Sequence, residues 1–394
     1  MISFKPYVIG AALVYLVGTP FALDGERYVI DEQVRSGVPG RFASLSAGRT
    51  RYDLLGPQPA EVVVFVHGFS SPSYVWGRLP KRLQQEGYRT LVYDLFGRGF
   101  SDRPDADYDL DLYDGQLREL MGQLDLDDRV HLVGLSMGGV IASEFALRHP
   151  RRVASLTLID PAGFSVDVPI QARLLALPLV GEYVLKAFGE GVLVSANARG
   201  VHDQALVPAL QAKFTPQMAY RGYKRAILSS MRNMPLSDFR DRYRELGGSG
   251  LPVQIFWGRQ DRITPFEGAQ VAETLIPQAR VHAIDGAGHL AHYEKPDEVV
   301  PRIVEFLAAH PAPQQHGAEL PGPCGADEAH VHTAPKAVAP PSGAGGGKRS
   351  GEKASEKKGS EKKKCRECDP RAQEPDVTDA ERARRRALSR RSGE

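Results

Sequence analysis

Ser136 stands at the centre of Gly134-Leu135-Ser136-Met137-Gly138, directly after the apolar run Arg129–Val133 and just before a helix-like stretch, Val140–His149. A strand that passes abruptly into a helix forces the residue between them into a strained backbone conformation, and small flanking residues let the two elements approach. The serine oxygen then projects from the end of a sheet, and the helix N-terminus behind it favours developing negative charge. Nucleophilic attack on a carbonyl carbon is the chemistry such a turn serves.

A serine hydroxyl is a weak nucleophile near neutral pH and needs a base within hydrogen-bond reach, itself oriented by an acid. His289, in Gly286-Ala-Gly288-His289-Leu-Ala-His292-Tyr-Glu294-Lys-Pro296, is the expected base. It lies on a Gly-rich loop between the last strand signal and the last helix signal; His292 is its nearest competitor and lacks the glycine context. Asp261, in Trp257-Gly258-Arg-Gln-Asp261-Arg-Ile-Thr-Pro265, follows a strand signal and is the expected acid. The chain order Ser136, Asp261, His289 is the order that accompanies this kind of turn. Asp160 also follows a strand and is the alternative acid. Asp94, in Asp94-Leu-Phe-Gly-Arg-Gly-Phe-Ser101, is read as organising a glycine turn.

A tetrahedral intermediate needs donors aimed at its oxyanion, and backbone amides suffice. The amides of Phe69, in His67-Gly68-Phe69, and of Met137 are the expected pair. His67 is read as pinning this loop rather than as a base.

The elements that position these residues alternate. A hairpin is expected over Arg41–Ser46 and Thr50–Leu55, with further strands at Glu61–Val66, Thr90–Asp94, Arg129–Leu135, Val153–Asp160, Pro252–Trp257 and Arg280–Ile284. Helices are expected at Val75–Glu86, Tyr113–Leu124, Val140–His149, Phe266–Ile276 and Asp297–Ala309. This alternation predicts a mostly parallel sheet covered on both faces. Residues 161–250 carry helical patterns and prolines but no strand, and so long a structureless loop inside a compact domain is improbable, so a helical cap is expected there. The core then comprises residues 41–160 and 251–310.

Of the 394 residues 42% are hydrophobic and 25% charged, ordinary for a globular chain with tails. The formal charge of +2 hides an asymmetry: residues 348–394 hold 16 Lys/Arg against 10 Asp/Glu, which leaves the rest at −4. No nucleic-acid face is expected on so mildly acidic a body. Residues 311–394 are basic, low in large apolar side chains and expected to be disordered. Cys324, Cys365 and Cys368 all fall there, and one Cys-x-x-Cys pair without a second ligand pair is a weak zinc signal. At the other end, residues 1–24 include the apolar stretch Tyr7–Leu23, at the lower limit for a membrane span. A membrane anchor is the expectation; a cleaved signal of a secreted protein and a soluble helix of a cytoplasmic one are the alternatives.

Taken together, His67-Gly68-Phe69, Asp94-x-x-Gly97-x-Gly99-x-Ser101, Gly134-x-Ser136-x-Gly138-Gly139, Gly258-x-x-Asp261-x-Ile263-x-Pro265 and Gly288-His289-x-x-x-x-Glu294-x-Pro296 resemble the α/β-hydrolase superfamily in its lidded esterase-like branch. The resemblance covers about Arg41 to His310. It implies an eight-stranded, mostly parallel sheet flanked by helices, with a cap, and no metal or organic cofactor. The apolar N-terminus together with the stretch from Ser136 to Gly163 is similar to membrane-anchored monoacylglycerol lipases. The expected reaction is hydrolysis of a small carboxylic ester, apolar or lipid-like (a monoacylglycerol or lysophospholipid), through an acyl-enzyme. Carbon–carbon bond hydrolases of aromatic ring degradation share much of the pattern and supply the alternative enzyme. A non-catalytic ligand-binding protein is the alternative of another class. Haloalkane dehalogenases and epoxide hydrolases carry aspartate at the nucleophile position, and Ser136 argues against both.

Overall fold

The computed structural model describes residues 22–164 and 170–312, together with residues 10, 14, 15 and 18–20. The strands are β1 (Arg41–Leu45), β2 (Gly48–Leu55), β3 (Val62–Val66), β4 (Arg89–Tyr93), β5 (Val130–Leu135), β6 (Val153–Ile159), β7 (Val253–Gly258) and β8 (Arg280–Ile284). They form one eight-stranded sheet in the order β1-β2-β4-β3-β5-β6-β7-β8. β1 with β2 and β2 with β4 run antiparallel; every later pairing is parallel. The order reverses about β3, so the chain leaves β3 toward one edge and returns to build the other. Open sheets of this kind bind ligands beyond the carboxyl ends of the strands at such a switch.

The described helices are α1 (Glu32–Ser36), α2 (Leu79–Gln85), α3 (Leu110–Gln123), α4 (Met137–Arg148), α5 (Ile170–Ala176), α6 (Val180–Gly200), α7 (Val207–Phe214), α8 (Tyr223–Asn233), α9 (Arg240–Gly248), α10 (Gly268–Leu275), α11 (Ala291–Glu294) and α12 (Pro296–Ala309). The central strands are predominantly apolar and fully buried because both their faces are covered, and β3 is apolar throughout. In β3, Val62, Val64 and Val66 join one core with α3, α4 and α9, while Val63 and Phe65 join the other with α2 and α12. Each such fully buried side chain contributes about 1.5–3 kcal/mol over its exposed state. Local signals set the helix ends. The Asp109 carboxylate accepts from Leu112 N–H at 2.9 Å and starts α3, whose Tyr113, Leu117, Leu120 and Met121 are buried.

Five helices, α5 to α9, occupy the interval between β6 and β7. Their own apolar cluster comprises Leu185, Leu193, Phe214, Met218, Tyr223, Ile227 and Leu228. In α6 the buried residues Gly181, Leu185, Gly189 and Leu193 recur every fourth position, one stripe of a helix. Residues 24–28 are strapped to this segment: Arg27 and Tyr28 N–H both donate to the Ala219 carbonyl, and the Glu26 carboxylate accepts from Gly222 and Lys224 N–H.

One expected helix differs. Val75–Glu86 is instead a 3-10 turn, Ser73–Trp76, followed by α2. Gly77 at φ 54° turns the chain between them, a conformation that a side chain disfavours. Of the apolar stretch Tyr7–Leu23 only Gly10, Val14, Tyr15, Gly18, Thr19, Pro20, Ala22 and Leu23 are described, and among the described residues no helix is long and apolar enough to cross a membrane. The three cysteines and the rest of the basic tail from residue 313 onward lie outside the described residues.

Candidate active site

Ser136 joins β5 to α4 at φ 54°, ψ −119°, a left-handed conformation rare for a residue with a side chain. The surroundings impose it. A Cβ on Gly138 would stand 1.9 Å from the Val66 carbonyl oxygen, and one on Gly134 2.5 Å from that of Gly138. Strand and helix therefore touch backbone to backbone, and the turn between them has no slack. Ser136 N–H donates to Ile159 C=O at 3.0 Å, tying the turn to β6.

His289 follows β8 on the glycine loop, with 13% of its side chain exposed, and Asp261 follows β7 with its carboxylate fully buried. Nδ1 of His289 and Oδ2 of Asp261 are 2.8 Å apart. Three donors fix that carboxylate: Oδ1 accepts from Ile263 N–H at 2.7 Å and Thr264 N–H at 3.1 Å, and Oδ2 from the Thr264 hydroxyl at 2.6 Å. Burial by itself would lower the His289 pKa; the Asp261 charge and hydrogen bond outweigh it, with smaller help from Asp160 and Glu294, and the net shift is upward.

Ser136 and His289 line one cavity of about 140 Å³ with Phe69, Ser70, Ser71, Val75, Leu135, Ile263 and Leu290. Its remaining wall is the C-terminal turn of α6, where Ala196, Asn197 and Gly200 face it together with Val201. Asn197 fastens that wall, donating to Ser70 Oγ at 3.0 Å and accepting from Ser71 Oγ at 3.2 Å. No hydrogen bond joins Ser136 Oγ to His289; such contacts often close only around a substrate.

Phe69 lines the cavity with Ser136, and Met137 follows Ser136 as the first residue of α4. A Cβ on Gly68 would lie 3.4 Å from that of Ser136, so the Phe69 loop passes close against Ser136. Among the described residues neither the Phe69 nor the Met137 N–H has an acceptor. His67 pins the loop: Leu95 N–H donates to its Nε2, and its Nδ1 donates to Gly68 C=O, both at 2.9 Å. That arrangement needs neutral imidazole, and burial pushes its pKa down to about 4.

The alternatives sit elsewhere. Asp160 accepts from Gly258 N–H at 2.7 Å and Ala291 N–H at 3.0 Å, bracing the two loops rather than the imidazole. Burial and then the Asp261 charge push its pKa up to about 8. His292 is buried against Trp76 and donates to Val75 C=O at 3.0 Å. Asp94 organises its turn, accepting from Ser73 and Phe100 N–H at 3.0 Å each. Among the described residues no group of three or more His, Cys, Asp or Glu side chains is placed to hold a metal.

Two residues here had no role in the sequence reading. Thr264 supports Asp261 as above; the spacing Asp261-x-x-Thr264 of a side-chain-capped turn is its signal. Arg98 is fully buried and donates to Phe69 C=O at 2.7 Å, Tyr113 Oη at 2.8 Å and Ser230 Oγ at 2.9 Å. Its guanidinium also lies over the Phe69 ring, 5.5 Å from the centroid. Arginine between two turn glycines was the visible trace; its partners were not.

The sequence pattern of the alpha/beta hydrolase family matches residues 63–302. Lipase 1 of Psychrobacter immobilis is 26% identical over 278 residues, which span 70% of this chain and 86% of that one. The 2-hydroxy-6-oxononadienedioate/2-hydroxy-6-oxononatrienedioate hydrolase of Cupriavidus pinatubonensis is 30% identical over 277 residues, 68% of this chain and 94% of its own. An esterase structure from Exiguobacterium antarcticum aligns with a TM-score of 0.60 at 22% identity, over 68% of this chain and 100% of that one, a likeness of fold.

Proposed function

This chain belongs to the alpha/beta hydrolase family, with that family's fold and hydrolysis as its reaction class, and from that premise we propose that it cleaves carboxylic esters through an acyl-enzyme on Ser136. One observation carries the reading: Ser136 and His289 line a single cavity, and His289 is hydrogen-bonded to the buried Asp261. In this reading Ser136 Oγ attacks the ester carbon as His289 Nε2 takes its proton. Asp261 holds the Nδ1–H tautomer and offsets the imidazolium charge. The Phe69 and Met137 amides receive the oxyanion, and α4 adds its N-terminal dipole. Collapse expels the alcohol, which leaves with the proton from His289. Water, deprotonated by the same imidazole, then attacks the acyl carbon; the acid departs and Ser136 regains its proton.

Fluorophosphonate labelling tests the reading against a non-catalytic one. An unlabelled wild type sinks catalysis by Ser136.

The acid limb of the rate follows from the His289 shift. Imidazolium is favoured to a higher pH than usual, so the base form is lost earlier on acidification. We expect kcat/KM on p-nitrophenyl butyrate to fall on the acid side with a midpoint above the ordinary histidine value. A midpoint below it contradicts the Asp261–His289 pairing.

Cavity volume bears on the acyl group. About 140 Å³ is close to the apolar cavity of roughly 150 Å³ that accommodates benzene, about six heavy atoms. Lining by Val75, Leu135, Ala196, Val201, Ile263 and Leu290 suits an alkyl or aryl acyl part. The lipid-like expectation thus narrows to a short acyl chain. Across a p-nitrophenyl ester series we expect kcat/KM to peak at four to six carbons and to fall by about tenfold or more at ten. A rise through decanoate overturns this.

The apolar stretch Tyr7–Leu23 supports membrane association of such an enzyme, tested by cell fractionation with and without residues 1–24. A second reaction, hydrolysis of a carbon–carbon bond in a vinylogous diketone, is favoured by the likeness to the dienedioate hydrolase. Turnover of ring-cleavage products above that of esters would select it.

A further inference from the structure

Glu294 collects three backbone donors from two distant stretches of chain. Its Oε1 accepts from Gly288 N–H at 2.9 Å, and its Oε2 accepts from His202 and Asp203 N–H at 2.8 Å each. Gly288 directly precedes His289, whereas His202 and Asp203 follow the end of α6, the helix that walls the cavity. A second link runs beside the carboxylate: His289 N–H donates to the carbonyl of Gly200, the last residue of α6, at 2.6 Å. The two strands of chain are pressed together. A Cβ on Gly288 would lie 2.3 Å from Gly200 O and 2.8 Å from His202 N, and a Cβ on Gly200 would lie 3.4 Å from that of His289.

Charge makes this joint strong. Hydrogen bonds to an ionised acceptor are shorter and about twice as strong as neutral ones. A carboxylate also offers enough lone pairs for all three donors, which an amide does not. No other acceptor among the described residues receives the Gly288, His202 or Asp203 N–H groups. If Glu294 were lost, all three donors would lose their partner together, and of the links between the glycine loop and the end of α6 only the Gly200–His289 hydrogen bond would remain.

We propose that Glu294 is a positioning residue for the base: its carboxylate clamps the end of the cavity-lining helix to the His289 loop, so that the imidazole is aligned only while that helix is seated. The proposal rests on the reading of His289 as the base given above, and adds that the α6 wall and the base move as one. The titratable groups that face His289 are Asp261, Asp160, Glu294 and His292. Glu294 is the weakest of the acidic ones, and its negative charge favours imidazolium, so its removal lowers the midpoint of the acid limb.

Two substitutions in the full chain separate charge from reach. Glu294→Gln keeps the length but removes the charge and turns an NH2 toward at least one N–H donor. Glu294→Asp keeps the charge but withdraws it by one methylene. Turnover of p-nitrophenyl butyrate is normalised to sites titrated with fluorophosphonate, so that misfolded protein does not count. We expect kcat per site to fall by about ten- to a hundredfold in both, as for an ångström-scale misplacement of a catalytic group. The acid-limb midpoint should move to lower pH in Glu294→Gln and stay in Glu294→Asp. Kcat per titrated site within twofold of wild type in both, even with a lowered melting temperature, would make Glu294 a structural brace and overturn the proposal. So would an unmoved midpoint in Glu294→Gln. Should that variant fail to fold, Glu294→Asp alone decides, by kcat per titrated site. A wild type that takes no label sinks the reading of Ser136 and His289 instead, a distinguishable failure.

Discussion

Replacement of Ser136 by alanine is expected to abolish fluorophosphonate labelling and to lower kcat on p-nitrophenyl butyrate by about four to six orders of magnitude. The residue supplies the only protein atom that bonds to the acyl carbon in the proposed path. What survives its loss is attack by water, helped by the oxyanion amides and by substrate binding. The fold should be indifferent. The Ser136 side chain makes no capping hydrogen bond to α4, so its loss orphans no partner. Alanine carries the same Cβ, so the φ of 54° is as strained with it as with serine. The prediction is therefore sharp in both directions: activity lost, melting temperature within a few degrees. Turnover within tenfold of wild type would place the nucleophile elsewhere.

Asp261→Asn carries the second largest effect, a fall in kcat of about three to four orders with the labelled serine still present. The carbonyl oxygen of asparagine can still accept from Ile263 and Thr264 N–H, so the turn that holds the side chain keeps its donors. Its NH2 then takes the place of Oδ2, which faces His289 Nδ1 at 2.8 Å. Two N–H groups cannot face each other there, so the imidazole is driven to the tautomer with its proton on Nε2. That tautomer cannot take a proton from Ser136. The parallel change Asp160→Asn separates the two acids. Both Asp160 oxygens accept backbone N–H groups, from Gly258 and Ala291, and an amide can serve only one of them. Its main effect should be a lowered melting temperature with a much smaller fall in kcat. Circular-dichroism melts and active-site titration on both variants read this directly. A larger kcat loss in Asp160→Asn than in Asp261→Asn would exchange the two roles.

Much of the sheet was legible because its strands obey short-range rules. β3, β5, β6 and β7 are predominantly apolar runs bounded by polar or glycine turns, and their ends fell within about two residues of expectation. The helix expected from Val75 was harder to read, since a glycine at positive φ splits an otherwise helical apolar pattern. At the candidate site, the strained turn at Ser136 was legible from the steric demand on its flanking glycines, and the loops that carry His289 and Phe69 from their places after strands. Arg98 and Glu294 stood inside quoted motifs without a role, because each acts through partners far along the chain: Arg98 through Ser230, Glu294 through His202 and Asp203.

The sequence by itself determined the features that depend on neighbours in the chain: the strained serine turn, the alternation of strands and helices, and the placing of Ser136, Asp261 and His289 just after strands. Those are enforced by backbone sterics and side-chain periodicity over a few residues, so they can be read locally. Tertiary structure decided which of two strand-end carboxylates meets the imidazole: Asp261 pairs with His289 Nδ1, whereas both Asp160 oxygens are taken by Gly258 and Ala291 N–H. It also decided the size of the cavity. That volume is set by how α6 seats across the Phe69 and His289 loops, through the contacts of Asn197 with Ser70 and Ser71, of Gly200 with His289 and of Glu294 with His202 and Asp203, partners from 89 to 127 positions apart in the chain.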